Sequence, residues 1–182
     1  MGTRHGESRR IALAGVFGAL SLTFMLVGGV LPLATFAAPA IAGILIMPVA
    51  VEFGRKTGWL LYAAIGLLSL LLVSDREMSL IFLFFFGFYP LLKTNLERLH
   101  SRAARFLAKF AVFNLCIAGA YALIVLVFPI PAVAGEFAGM SLGFAGVLLL
   151  LGNFTFAIYD AAVARLVALY CGRLRPRLMK LH

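Results

Sequence analysis

Few side chains in this sequence can do chemistry, and their placement narrows the reactions available. The three histidines, His5, His100 and His182, fall in polar segments or at the terminus, so no imidazole sits within an apolar run to act as acid, base or ligand. Cys116 lies inside one apolar run and Cys171 at the end of another, without the CxxC or Cys/His spacing of a metal site or disulfide framework. No HExxH or GxxxxGK[ST] pattern occurs, so no zinc protease helix or phosphate loop is encoded. The expectation is a chain with no catalytic centre, metal or cofactor.

What remains are acids inside or beside apolar runs, where a charge costs about 2.5–3.5 kcal/mol at the centre of a membrane helix. Asp160 lies deepest, after Asn153 and Tyr159 and about one turn before Arg165. Its candidate partners are Arg165, Lys109 and Asn114, and its role is a buried structural pair or a coupling group. Glu52 closes another apolar run beside Arg55 and Lys56, with which it is expected to pair. A third group, Asp75, Arg76 and Glu77, sits in a short connection, and Glu136 in a longer one. With Phe24, Phe36, Phe82 and Phe137 these residues form a candidate lining for a polar solute, since small-molecule sites combine a few polar groups with aromatic walls. A helix cap with a surface salt bridge is the other reading of the same three residues.

The elements that must position these groups follow from composition. Of 182 residues, 63% are hydrophobic and 13% charged, with a mean hydropathy of +1.05; a soluble domain has about 45–50% apolar and about 25% charged residues. There is too little polar surface for a water-soluble fold, so the expected class is an all-α integral membrane protein, a single six-helix transmembrane bundle. The spans are read at 11–31, 36–53, 57–73, 79–92, 106–128 and 142–171. The first is longer than the roughly 7–15 residues of a signal-peptide core, so it is expected to be retained. Gly6 stands where a myristoylation site needs Ser or Thr, so no lipid anchor is expected.

Charge orients this bundle. With six spans and both termini in the cytoplasm, every Lys and Arg except Arg76 falls on the inner side, as retention of cations there requires. The net charge of +9 is therefore a topology signal and an attraction to anionic lipid, not a sign of nucleic acid. Segment 93–105 joins flanking apolar positions Leu92, Leu96, Leu99, Ala103, Phe106 and Phe110 at helical spacing, and is expected as a basic amphipathic helix at the inner interface or as a solvated linker.

Small residues crowd the first span as Ala14-x3-Gly18 and Gly15-x3-Ala19 on adjacent faces, continued by Ala34, Ala38 and Ala42. Such faces let helix backbones approach closely, within the chain's own bundle or against a separate membrane subunit. The aromatic run Phe82, Phe84, Phe85, Phe86, Phe88 and Tyr89 covers all sides of a helix, which suits lipid contact and core filling, and Pro90 kinks or ends it before Lys93. Trp59, Tyr62 and Tyr170 fit an interfacial belt.

Taken together, the six spans in under 200 residues, the inner termini, Arg9-Arg10 leading into a small-residue first span, and a last span running through Asn153, Tyr159 and Asp160 to a basic tail resemble the substrate-binding S component of an energy-coupling factor (ECF) transporter. That resemblance implies a bacterial cytoplasmic-membrane subunit that captures a vitamin-like small molecule on the outer side. It further implies docking on a separate transmembrane coupling subunit and two cytoplasmic ATPases, which consume the ATP. The family's docking face is Ala-x3-Ala on the first helix; this sequence departs from it, with Ala14/Gly18 and Gly15/Ala19 in place of two alanines. Two other classes are compatible with the residues: a stand-alone ion-coupled secondary carrier using Asp160 and Glu52 as relays, and a small integral-membrane enzyme.

Overall fold

A computed structural model describes residues 2–31, 34–126 and 141–174. Glu136 and Phe137 lie outside the described residues. Among those described there are helices and turns and no strand. Among the described residues five helical stretches are long and apolar enough to cross a membrane: Arg10–Gly28, Arg55–Leu72, Arg76–Leu96, Arg102–Leu126 and Gly143–Gly172. A sixth apolar stretch, Ala37–Phe53, is shorter. At about 1.5 Å per residue it reaches about 25 Å, against about 30 Å of bilayer hydrocarbon.

Helix α1 (Gly2–Gly28) packs on α2 (Ala37–Ile44) through small residues. Ala38 and Ala42 are buried, a side chain at Gly28 would collide with the Ala38 methyl, and Ser21 donates to the Ala42 carbonyl at 3.1 Å. The chain breaks at Leu45–Ile46 and resumes as α3 (Met47–Phe53), with Pro48 in its first turn, where a missing N–H costs nothing. Gly54, at φ +86°, then reverses the chain directly into α4 (Arg55–Leu72). That backbone angle favours glycine because it lacks a Cβ.

The next crossing is built in three pieces: α5 (Arg76–Ile81), a π-helical turn (Phe82–Phe86), and α6 (Tyr89–Leu96). It forms the centre of the molecule. Phe82, Phe85 and Tyr89 are fully buried, and the Phe85 ring lies 4.9–6.2 Å from the rings of Phe86, Tyr89, Phe113, Phe156 and Tyr159. The aromatic run therefore fills the core, with only Phe84 and Phe88 half-buried. Pro90 starts α6, so the helix continues past it and carries Lys93 inward.

Helices α7 (Arg102–Leu126) and α8 (Leu142–Leu169, followed by a π-helical turn Tyr170–Leu174) pack on this centre by one side each. Segment 93–105 is not one helix: α6 ends at Leu96, the chain turns, and α7 begins at Arg102. The physical reason is Lys93, which opens this segment yet is only 5% exposed, drawn into the bundle by Asp160 of α8.

Candidate functional site

The central crossing owes its shape to two interruptions of the backbone ladder. In the π-helical turn the Gly87 N–H donates to the Phe82 carbonyl at 2.8 Å, one residue further back than in an α-helix, which leaves the Leu83 carbonyl without its usual donor. Pro90 has no N–H to give the Phe86 carbonyl. Each orphan is met by a tyrosine from another helix: Tyr62 donates to Leu83 O at 2.6 Å and Tyr159 to Phe86 O at 3.4 Å. Gly43 of α2 lies against the same spot, where a Cβ would come within 2.0 Å of the Phe86 carbonyl oxygen. The interrupted α2–α3 stretch and the interrupted α5–α6 stretch thus touch backbone to backbone.

Restarting at Tyr89, α6 carries Tyr89 and Lys93 four residues apart on one face, and Glu97 follows at its C-cap. Opposite them stand Lys109 of α7 and Asp160 of α8. The Asp160 carboxylate is the hub: Tyr89 donates to Oδ1 at 2.6 Å, Lys93 contacts the same oxygen, and Lys109 spans both oxygens at 3.2 and 2.9 Å. Lys93 also donates to the Asp160 main-chain carbonyl. Glu97 completes the set 3.6 Å from Lys93 and 3.4 Å from Lys109. Two ammonium and two carboxylate groups balance, which is the condition for keeping ions in a low-dielectric bundle. Side-chain exposure rises from 6% at Lys93 through 14% at Lys109 and 23% at Asp160 to 47% at Glu97, so the cluster reaches solvent at the end where α6 turns into α7.

Beside it lies a cavity of about 110 Å³, walled by Pro90, Lys93 and Glu97 of α6, Met47 of α3, and Val163 and Val167 of α8. Further along α8, Asn153 and Asn114 of α7 exchange amide hydrogen bonds at 2.8 and 3.1 Å. Glu52 accepts from the Tyr170 hydroxyl at 3.3 Å, while neighbouring Arg55 donates to Asn95 at 2.7 Å. Arg165 is exposed.

At the opposite end the acidic group spreads over three tasks. Asp75 caps α5 by accepting from Met78 N at 3.0 Å and also accepts from Thr35 at 3.1 Å. Arg76 is exposed, and Glu77 accepts from Tyr121 of α7 at 2.8 Å. The aromatic side chains grouped with them do not converge: Phe24 and Phe36 are 38% and 50% exposed, whereas Phe82 is buried in the core against Tyr62. The two small-residue faces of α1 also differ. A Cβ at Gly18 would stand 3.0 Å from Leu61 of α4, and Ala14 is half-buried; Gly15 has open space around it and Ala19 is exposed.

Of the partners expected for Asp160, Lys109 is realised, while Asn114 pairs with Asn153. Tyr89, Lys93 and Glu97 are additions: by sequence they belong to the aromatic run, to the topology-setting cations and to the polar side of segment 93–105. Their four-residue spacing was the available signal. Among the described residues no group of three His, Cys, Asp or Glu side chains is arranged to hold a metal ion.

Compared with known proteins, the chain matches no protein-family model, no curated protein and no solved structure.

Proposed function

We propose that this chain is the membrane-embedded solute-binding subunit of an ATP-driven importer of a vitamin-like micronutrient, resembling an ECF S component. In this reading six helical crossings, counting Ala37–Phe53 as the short one, place both termini in the cytoplasm of a bacterial cell. Solute is captured at the outer end, near Asp75, Arg76, Glu77 and Glu136, and a separate transmembrane subunit with two ATPases supplies the energy. The observation that carries the reading is the asymmetry of α1. On its Ala14/Gly18 face Gly18 lies against Leu61 of α4 and Ala14 is half-buried, whereas its Gly15/Ala19 face is left open to take a partner helix at short range.

The test is purification from the native host in mild detergent. A co-purifying transmembrane subunit and ATPases are expected, and Gly15→Leu is expected to weaken that assembly without lowering the thermal stability of the isolated chain. Gly18→Leu strikes Leu61 and is expected to lower both. Recovery of the chain alone, or undiminished assembly of Gly15→Leu, argues against the importer reading.

A second reading, a stand-alone ion-coupled carrier, is favoured by one specific observation: two interrupted helices meet at Gly43 and Phe86, next to an element that bears a buried ion cluster. Discontinuous helices around intramembrane charges are how many secondary transporters form their sites. Solute uptake by the purified chain alone in proteoliposomes, driven by an ion gradient, selects this alternative.

A further inference from the structure

Three donors around Asp160 come from elements other than the one that carries it. Tyr89 and Lys93 stand on α6 and Lys109 on α7, and both lysines also lie near Glu97, so each keeps one partner outside α8. Their geometry is that of a receptor for one carboxylate, with one ammonium spanning both oxygens and a phenol and a second ammonium on Oδ1. Charge selects the same occupant. Two lysines facing Glu97 retain one uncompensated positive charge, which a single monoanion neutralises.

The helix supplying the present occupant is, like α7, mostly outside the enclosed centre. α8 touches the bundle along one stripe, Asn153, Phe156, Tyr159, Asp160 and Val163, while most of its remaining surface is exposed. The cavity beside Lys93 lies between that stripe and α6, with Val163 and Val167 as its α8 wall, so outward movement of α8 enlarges a space that already reaches the lysine.

We propose that Tyr89, Lys93 and Lys109 form a binding site for a small monocarboxylate, closed in this state by the chain's own Asp160 and opened when α8 withdraws. The internal carboxylate acts as a competitor, so external anions bind with an affinity reduced by the fraction of time Asp160 occupies the donors. The site lies at the opposite end of the bundle from Asp75 and Glu77 and requires no partner subunit. It goes beyond the importer reading, and either stands if the other fails.

Acetate is the probe, with acetamide and chloride at matched ionic strength as controls, on the full chain purified in detergent. Asp160→Ala vacates the site. It is expected to melt at lower temperature than the wild type and to be restored saturably by acetate but not by either control. Adding Lys93→Met or Lys109→Met is expected to abolish the rescue. Asp160→Asn keeps the side chain's shape while removing its charge, and serves if Asp160→Ala cannot be recovered folded. By saturation-transfer NMR, acetate is expected to bind Asp160→Asn at least about tenfold more tightly than wild type. Equal affinity in wild type and Asp160→Asn, rescue by chloride as readily as by acetate, or rescue that survives loss of either lysine overturns the proposal.

Discussion

Arg76–Leu96 and Gly143–Gly172 are both long enough to cross a bilayer, yet 61% of the most apolar stretch of the first is buried inside the molecule and only 17% of that of the second. The more enclosed one has the lower mean hydropathy, is split by a π-helical turn, and carries Lys93, with Glu97 just past its end. The more exposed one runs as a regular helix to Leu169, with Leu149, Leu150, Phe154 and Ile158 turned outward. In water the most apolar helix would be the core. In lipid the outer faces are satisfied by acyl chains, so the interior collects the groups that lipid cannot satisfy: freed carbonyls, hydroxyls and ions.

Glycines give the sharpest way to break this contrast. Gly43→Val places a side chain against the Phe86 carbonyl, a backbone atom with no rotamer to escape into. It is expected to cost at least about 3 kcal/mol, because inserting atoms into a packed contact forces backbone movement. Monodispersity and unfolding in detergent measure it. Gly146→Ala on the exposed helix meets nothing within 4 Å, and is expected to be neutral or stabilising by up to about 1 kcal/mol through helix propensity. Equal destabilisation at the two positions would mean that α2 and the π-helical turn are not in backbone contact.

Next in size is the ion cluster. Lys93→Met removes the most buried charge but leaves Asp160 with Lys109 and Tyr89. The expected loss is about 2–3 kcal/mol, below the roughly 3–5 of an isolated buried pair, because partners remain. Arg165→Met, on the exposed side of α8, is expected to stay within about 0.5 kcal/mol of wild type. Comparable losses at both positions would make Lys93 an ordinary surface cation.

How far these features can be read from sequence depends on what each one leaves in the pattern. The long apolar helices follow from hydropathy, and Lys109 as a partner of Asp160 follows from both residues lying within apolar runs. Lys93 is hidden because Pro90 reads as a stop and the lysine then joins the topology-setting cations. The proline instead starts a new helix after the π-helical turn. That turn has no sequence period of its own, and six aromatic residues in eight positions mask which side faces inward. The small-residue faces of α1 are visible as spacing, but only the position of Leu61 tells them apart.

The interrupted backbone itself is tested by Tyr62→Phe. It keeps the ring against Phe82 and Phe88 and removes the one donor shown for the Leu83 carbonyl. An orphaned buried carbonyl is expected to cost about 1–2 kcal/mol. Tyr159→Phe is expected to cost less, since its bond to Phe86 is longer, 3.4 against 2.6 Å. The reverse order would shift the strain from the π-helical turn to Pro90.

The smallest effect is expected where α7 and α8, the two exposed helices, meet through Asn114 and Asn153. A reciprocal amide pair in lipid invites a large estimate, because no water competes for the donors. Each amide here has a second choice, however: Asn114 also donates to Phe110 O at 2.8 Å and Asn153 to Leu149 O at 2.7 Å, both one turn back on the same helix. Cutting the interhelical bonds therefore leaves each side chain a local acceptor. A double-mutant cycle of Asn114→Ala and Asn153→Ala, read by unfolding in mixed detergent, is expected to give a coupling near 0.6 kcal/mol, the average for polar pairs between membrane helices. A coupling several times larger would mean that these two helices are held as firmly as the buried centre, and would weaken the contrast between an enclosed crossing and an exposed one.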